Sequence, residues 1–297
     1  MRRGSVADLM LFATTLLWAL NFTVSKYILE HGLRPLAYSA VRYSAAALLF
    51  VAITFPRERS LRIARDDVLL VAGAVVVLLA NQLSFVYALD FTTATTVALL
   101  FGTLPIFTAL ISSFVGVERL DTRFWLAAAV SFAGVAMVTA GSGGSVSADL
   151  VGDLLALSGA ATWGAYSVAI APLMRRYSPY RLSAVLLVAV SLPLLVLGSP
   201  QLADEDFDWS ALVWIGFVFA VLGPLVVTNL LWFSAIDRVG PSRAAIFANL
   251  QPFLAAVIAL LLLNEELTRY QVAGGLAIGA GILLSRRLAP TPEPEPT

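Results

Sequence analysis

The chain has 297 residues, of which 59% are hydrophobic and only 13% are charged, and its mean hydropathy is +0.87. Soluble domains are about half apolar and about a quarter charged, so these values exclude a soluble protein and predict a membrane protein. The 19 basic and 19 acidic residues balance, which argues against a nucleic-acid partner, and with no cysteine the chain has no disulfide, no catalytic thiolate and no Cys-bound metal.

Apolar segments of about 20 residues, long enough to cross a bilayer as helices, follow one another along the chain. There are ten of them, at 7–29, 35–55, 67–89, 94–116, 123–140, 150–173, 179–198, 210–235, 242–263 and 269–288. Arg2 and Arg3 precede the first segment and no small-residue cleavage site follows it, which predicts an anchor helix rather than a cleaved signal peptide. The predicted fold class is an all-α integral membrane protein with ten transmembrane helices.

Basic residues are concentrated in alternate connections between these segments. Fifteen of the nineteen lie at the amino terminus and in the stretches 57–65, 119–123, 175–181, 238–243 and 286–287. Because cytoplasmic loops are enriched in Lys and Arg, we expect a multi-pass protein of the bacterial inner membrane with both termini in the cytoplasm. The tail at 289–297 is Pro-rich and acidic, and we predict that it is disordered.

The sequence resembles itself at an offset of 147 residues, which places Asp90 on Asp237, Pro105 on Pro252, Glu118 on Glu265 and Gly134 on Gly281. Each copy holds five predicted helices, an odd number, so the second copy must have the opposite orientation in the membrane. We therefore predict two inverted five-helix repeats, at 1–140 and 150–288, joined by a linker at 141–149. Such repeats place a substrate site near the bilayer midplane between the two halves.

The motifs of both halves resemble those of the EamA-type transporters of the drug/metabolite transporter superfamily, over almost the whole chain. They are Leu17–Phe22 with Lys26, Arg42, Ala88-Leu89 with Pro105, Val117–Leu120, Gly152–Leu154, Trp163–Tyr166, Gln251-Pro252 and Asn264–Leu267. The chain departs from the family pattern at Val117 and Asn264, where a glycine is expected. The resemblance implies a ten-helix inverted-repeat carrier that moves small metabolites, commonly amino acids and usually outward.

Polar and aromatic side chains within the spans are candidates for lining a path, because polar groups there tend to face the protein interior or a wet cavity. The predicted lining consists of Trp18, Asn21, Ser25, Gln82, Phe85, Trp163, Tyr166, Asn229, Trp232 and Asn249. Amides with aromatic walls suit a small organic solute that carries a hydrophobic or aromatic group. The alternative is that these residues bond and pack between helices.

Prolines and glutamates occupy equivalent places in the two predicted repeats. Pro105 and Pro252 have no main-chain N–H, so each frees a carbonyl and permits a kink, which predicts either a hinge or a packed bend. Glu118 and Glu265 lie at helix ends, where we expect solvated carboxylates. A gate or a loop lock is the alternative for this pair.

Two cations lie within predicted spans. Arg42 is about 10 Å along its helix from the outer end. It would anchor a substrate carboxylate or, as we favour, have a structural role, in which it snorkels or bonds to helix-end carbonyls or to a carboxylate such as Glu30 or Asp90. Lys26 lies nearer the outer face, where we expect its flexible stem to reach water.

No Asp or Glu lies in the middle of a predicted span, and the single histidine, His31, lies in an outer loop. This pattern argues against proton exchange at a buried carboxylate and favours facilitated movement, with the coupling ion open. The chain has no HExxH, no phosphate-binding glycine loop and no filter-like segment, so we expect no enzyme, cofactor, metal site or ion channel.

The predicted function is therefore export of amino acids, with hydrophobic or aromatic ones preferred, or of related compounds, by alternating access. The expected partners are a small-molecule substrate and the lipid bilayer, and the protein is expected to be a monomer or a weak homo-oligomer. The alternatives are a multidrug or other metabolite exporter, and then a non-transport membrane protein such as an embedded enzyme or a scaffold.

Overall fold

The computed structural model of the protein describes residues 3–116, 122–141, 148–239 and 250–286, and every regular element in these ranges is helical. The helices are α1 Arg3–His31, α2 Pro35–Glu58, α3 Val68–Phe91, α4 Ala94–Phe101, α5 Leu104–Phe114, α6 Thr122–Gly141, α7 Ala148–Met174, α8 Pro179–Ala203, α9 Ala211–Val221, α10 Thr228–Val239, α11 Gln251–Leu262 and α12 Arg269–Arg286. A short 3-10 helix, Arg65–Asp67, precedes α3, and a π segment, Leu222–Val227, joins α9 to α10.

Seven helical stretches of the described residues are long and apolar enough to cross a membrane. They are Val6–His31, Pro35–Glu58, Arg65–Phe91, Ala94–Phe114, Leu150–Met174, Pro179–Ala203 and Ala211–Trp232. The apolar helices Phe124–Val138 and Gln251–Leu262 are shorter. The prediction of an all-helical membrane protein is confirmed, and the count of ten spans stays a prediction. The predicted tail at 289–297 and residues 142–147 of the predicted linker lie outside the described residues.

Proline and serine begin several helices, as their chemistry requires. Pro35 and Pro179 are the first residues of α2 and α8, where the missing N–H would have no partner within the helix in any case. The hydroxyl oxygens of Ser178 and Ser210 accept main-chain N–H groups in the first turns of α8 and α9. The boundaries of these spans therefore follow directly from local sequence.

Two of the apolar segments are interrupted. The segment at 94–116 divides at Gly102 and Thr103 into α4 and α5, and Pro105 is the second residue of α5. The segment at 210–235 widens into the π segment around Pro224, which has no N–H to donate. The break beside Pro105 falls where the sequence predicts a kink, whereas the π segment was not predicted.

The end of the bundle at which α1 begins is called the near end, and the end at which α1 finishes is called the far end. Along the bundle α2 packs against α8, α3 against α7, and α6 against α12. The contact between α6 and α12 is close because glycine faces glycine. A methyl group on Gly134 would lie 2.6 Å from the main-chain oxygen of Gly274, so neither position has room for a side chain.

Candidate functional site

A buried polar cluster links α1 to α2, and its members are Asn21, Ser25, Tyr38 and Arg42 (the Arg42 cluster). Arg42 donates from Nη2 to Asn21 Oδ1 at 3.0 Å, and Ser25 donates to the same oxygen at 3.3 Å. The hydroxyls of Ser25 and Tyr38 are hydrogen-bonded at 2.8 Å, and the guanidinium lies 5.5 Å from the centre of the Tyr38 ring. Arg42 is only 3% exposed. The two polar residues of α1 predicted to line the path are therefore tied to α2.

Arg42 also reaches the interrupted helix. Its Nε donates to the main-chain oxygen of Ala220 at 3.0 Å. In a regular α-helix this oxygen would accept the N–H of residue 224, but Pro224 has none. The favoured prediction of a bond to a main-chain carbonyl fits this contact. The carboxylates suggested as partners were the wrong choice: Glu30 pairs with Lys26 at 3.3 Å, and Asp90 forms no ion pair with Arg42.

Aromatic residues from distant parts of the chain meet within the bundle. The rings of Trp18 in α1 and Trp232 in α10 have centroids 5.1 Å apart. Phe22, Phe85 and Phe101 form a mutually packed triad with centroids 5.4–6.0 Å apart. Trp163 and Tyr166 contact each other on α7 at 5.4 Å. The structure thus brings Trp18 together with Trp232, while Phe85 belongs to a separate packed group.

The amide side chains of the predicted lining bond to nearby groups. Gln82 donates to the hydroxyl oxygen of Ser39 at 3.0 Å, which links α3 to α2. Asn229 donates to the main-chain oxygen of Leu225 at 2.7 Å, within the interrupted helix. Asn249 lies outside the described residues. Asn21 and Gln82 therefore join different helices, whereas Asn229 satisfies a carbonyl of its own chain segment.

Charged groups at the far end are bonded rather than solvated. Lys26, whose side chain is 13% exposed, donates to the main-chain oxygen of Leu89 at 2.8 Å. The Glu265 carboxylate accepts the main-chain N–H groups of Ala94 and Thr95, each at 2.9 Å. Anionic groups are favoured at helix N-termini, so Glu265 fixes the start of α4. The expectation of a solvated carboxylate was therefore wrong for Glu265; Glu118 lies outside the described residues.

The α2–α8 pair is held at both ends by contacts that sequence reasoning missed. At the near end Glu58, the last residue of α2, accepts a bond from Arg181 Nε at 2.9 Å and another from the Ser178 hydroxyl. At the far end Gln201 of α8 accepts the N–H groups of Leu36 and Ala37 at 2.8 and 3.1 Å. Gln201 therefore caps the beginning of α2, and Glu58 bonds two side chains at the beginning of α8.

A second group of contacts lies at the near end, where the loop after α7 meets the beginning of α3. Asp67 accepts bonds from Arg176 and from the Tyr177 hydroxyl, and the latter distance is 2.6 Å. The Tyr177 oxygen in turn accepts the N–H of Ala64 at 2.9 Å. The hydrogen bond to Asp67 raises the pKa of Tyr177 above its ordinary value, because the carboxylate favours the protonated hydroxyl. These contacts fasten the start of α3 to the loop after α7.

One acidic side chain is enclosed within the bundle. Asp153 is 1% exposed in the second turn of α7, so a carboxylate is enclosed near the far end. Within the part of the chain that the structure describes, no group of three His, Asp or Glu residues is placed to hold a metal ion. The Arg42 cluster with the neighbouring Trp18–Trp232 pair is therefore the candidate site.

Apolar spans that enclose a charged and polar cluster are typical of membrane transport proteins. The comparison with family models makes this specific, since residues 5–140 and 150–287 match the EamA-like transporter family. The chain belongs to that family and is a transmembrane transporter.

Relatives match over nearly their full length. The uncharacterized transporter YvbV of Bacillus subtilis is 26% identical, with 93% of this chain and 90% of the relative covered. The uncharacterized inner membrane transporter YedA of Escherichia coli K12 is 24% identical, with 93% of this chain and 89% of the relative covered. A probable amino-acid metabolite efflux pump of Salmonella typhimurium is 26% identical over 90% of both chains. A solved crystal structure, 18% identical, superposes with a TM-score of 0.67 over 96% of this chain and 99% of the other, which shows a shared fold.

Proposed function

We propose that this transporter exports amino acids, preferring hydrophobic or aromatic ones, or closely related metabolites, by alternating access. The observation that carries the proposal is the contact between Trp18 and Trp232, one from each predicted repeat, one helical turn from Asn21 in the Arg42 cluster. An aromatic wall beside fixed polar groups suits a small solute with an apolar side chain. The Salmonella relative described as a probable amino-acid metabolite efflux pump supports the same solute class.

We further propose that ten helices form two inverted repeats, with both termini in the cytoplasm of a bacterial cell. The family match falls into two segments, 5–140 and 150–287, which coincide with the predicted repeats. Helices in equivalent places of the two repeats pack together: α2 against α8, and α6 against α12. The contact of α3 with α7 has a counterpart in that of α10 with α1, as a pseudo-two-fold axis requires. The Arg-rich loops of the near end favour its placement in the cytoplasm.

The residues proposed to line the path are those predicted from sequence, with Pro105 and Pro252 as hinges. Both prolines occupy the second position of a helix, α5 and α11 respectively, and Pro105 follows the break between α4 and α5. Side-chain bonds such as that of Gln82 to Ser39 would then have to rearrange as the solute binds. The protein is proposed to act as a monomer or a weak homo-oligomer.

The test is counterflow in proteoliposomes that are preloaded with one unlabelled amino acid, with entry of the labelled compound followed with and without an imposed pH gradient. We expect saturable exchange that is indifferent to the pH gradient. Trp18→Ala and Trp163→Ala should lower the exchange rate, and Trp125→Ala, whose side chain is exposed on α6, is the matched control that should not. Folded protein that exchanges no member of an aromatic-rich panel would contradict the proposed function.

A further inference from the structure

We infer that Arg42 binds the carboxylate of the transported solute, so that organic anions and zwitterions are the substrate class. This inference rests on the proposed carrier function and adds the group by which the solute is held. The evidence is the charge of the buried Arg42 side chain, its hydrogen-bond donors and its neighbours.

Arg42 carries a positive charge that no acidic side chain of the described residues neutralises. The ion pairs in residues 3–116, 122–141, 148–239 and 250–286 all join other residues. The contacts of Arg42 are neutral: the oxygens of Asn21 and Ala220 and the ring of Tyr38. A buried charge without a counter-charge is strongly unfavourable, and a solute carboxylate supplies the missing charge.

The guanidinium keeps donors for a second partner. Its Nε and one N–H of Nη2 are used by Ala220 and Asn21, and Nη1 makes no hydrogen bond to any residue within the described ranges. A guanidinium edge presents two parallel N–H groups that match the two oxygens of a carboxylate. The bonds to Asn21 and Ala220 hold the planar group from two sides and so orient the remaining donors.

The neighbours of Arg42 fit the rest of an amino acid. Trp18 precedes Asn21 by one helical turn, about 4.5 Å along the axis, and its ring meets that of Trp232. A solute with its carboxylate on Arg42 would have an aromatic surface within reach of its side chain. The hydroxyls of Ser25 and Tyr38 are neutral and add no competing negative charge. The structure therefore combines an anion anchor with an apolar wall.

The experiment compares L-phenylalanine with L-phenylalaninamide, which differs in lacking the carboxylate. Both compete for counterflow in phosphatidylcholine vesicles that contain wild type, Arg42→Gln, Arg42→Lys or Arg57→Gln. We expect wild type to prefer phenylalanine by about tenfold or more, the effect of one hydrogen-bonded charge pair. Arg42→Gln should lose this preference, Arg42→Lys should keep part of it, and Arg57→Gln, at the exposed near end of α2, should keep all of it.

Equal competition by the two compounds in wild type, or a preference that survives in Arg42→Gln, overturns the inference. Because Arg42 also bonds Ala220, a second measurement uses wild type alone: phenylglyoxal labelling of Arg42, followed by mass spectrometry. Phenylalanine should slow the labelling and phenylalaninamide should not, and equal rates with both compounds contradict carboxylate binding. If folded wild type exchanges no amino acid, the proposed function fails, whereas the labelling still decides whether Arg42 binds a carboxylate.

Discussion

Arg42 donates a hydrogen bond from Nε to the main-chain oxygen of Ala220, 3.0 Å away, in place of the N–H that Pro224 lacks. A side chain from α2 thus completes the hydrogen bonding of the helix that contains α9. The bond gives the carbonyl within the span a donor and gives the buried guanidinium one of its acceptors, although it does not neutralise the charge. The interruption of this helix is stabilised by a residue far from it in sequence.

Replacement of Pro224 by alanine tests this relationship. The new N–H would compete with Arg42 for the Ala220 oxygen and shorten the π segment. We expect the exchange rate to fall by roughly tenfold, the equivalent of one lost hydrogen bond to a charged group. Counterflow initial rates measure the effect, and Pro56→Ala, near the exposed end of α2, is the control. Unchanged rates in Pro224→Ala would show that the π segment plays no part in transport.

Replacement of Glu265 by alanine removes both acceptors from the start of α4. We expect a loss of about 1.5–3 kcal/mol in the free energy of unfolding, as for hydrogen bonds to a charged group. Glu265→Gln, which keeps one acceptor oxygen, should lose less. Thermal unfolding in detergent measures the change, with the exposed neighbour Glu266→Ala as control. Equal midpoints for the two alanine variants would contradict a structural role of this carboxylate.

Glycine substitutions should separate a packed helix contact from a lipid-facing one. Gly134→Ala places a methyl group 2.6 Å from the oxygen of Gly274, so α6 and α12 must move apart. We expect a loss of about 1–3 kcal/mol in stability, the usual result of overpacking. Gly73→Ala on α3 meets nothing within 4 Å and should be neutral or stabilise by about 0.5–1 kcal/mol through helix propensity. If both variants lower the thermal midpoint relative to wild type by the same amount, the close α6–α12 contact is contradicted.

The raised pKa of Tyr177 predicts that the free energy of unfolding depends on pH in the alkaline range. Its pKa is raised in the folded protein by the hydrogen bond to Asp67, so its contribution to stability is fully present below the ordinary tyrosine pKa, near 10, and is lost as the pH rises through the raised value. We expect wild type to be more stable than Tyr177→Phe at neutral pH, with the difference shrinking above about pH 10. Chemical unfolding at several pH values measures this. Asp67→Asn should also weaken the near-end contacts. If the stability difference between wild type and Tyr177→Phe grows as the pH rises, the hydrogen bond from Tyr177 to Asp67 is contradicted.

Local chemistry in the sequence accounts for much of the fold. Pro35 and Pro179 mark helix starts, and continuous apolar runs mark the spans. The π segment was missed although Pro224 was visible, because a proline alone does not reveal whether a helix breaks, bends or widens. The contacts of Arg42 were only partly predictable, since its partners on α1 and α9 depend on how the helices pack. The cap that Glu265 provides to α4 was not predictable for the same reason, because its partners Ala94 and Thr95 are distant in sequence.

The contacts of Glu58 and Gln201, one at each end, have a mechanical consequence for the α2–α8 pair. A slide of one helix past the other by a single turn, about 5.4 Å, would break the bonds at both ends at once. The pair therefore resists sliding along its length. In the alternating access that we propose, the movement that exposes a solute first to one side and then to the other would come from other helices tilting beside α2 and α8.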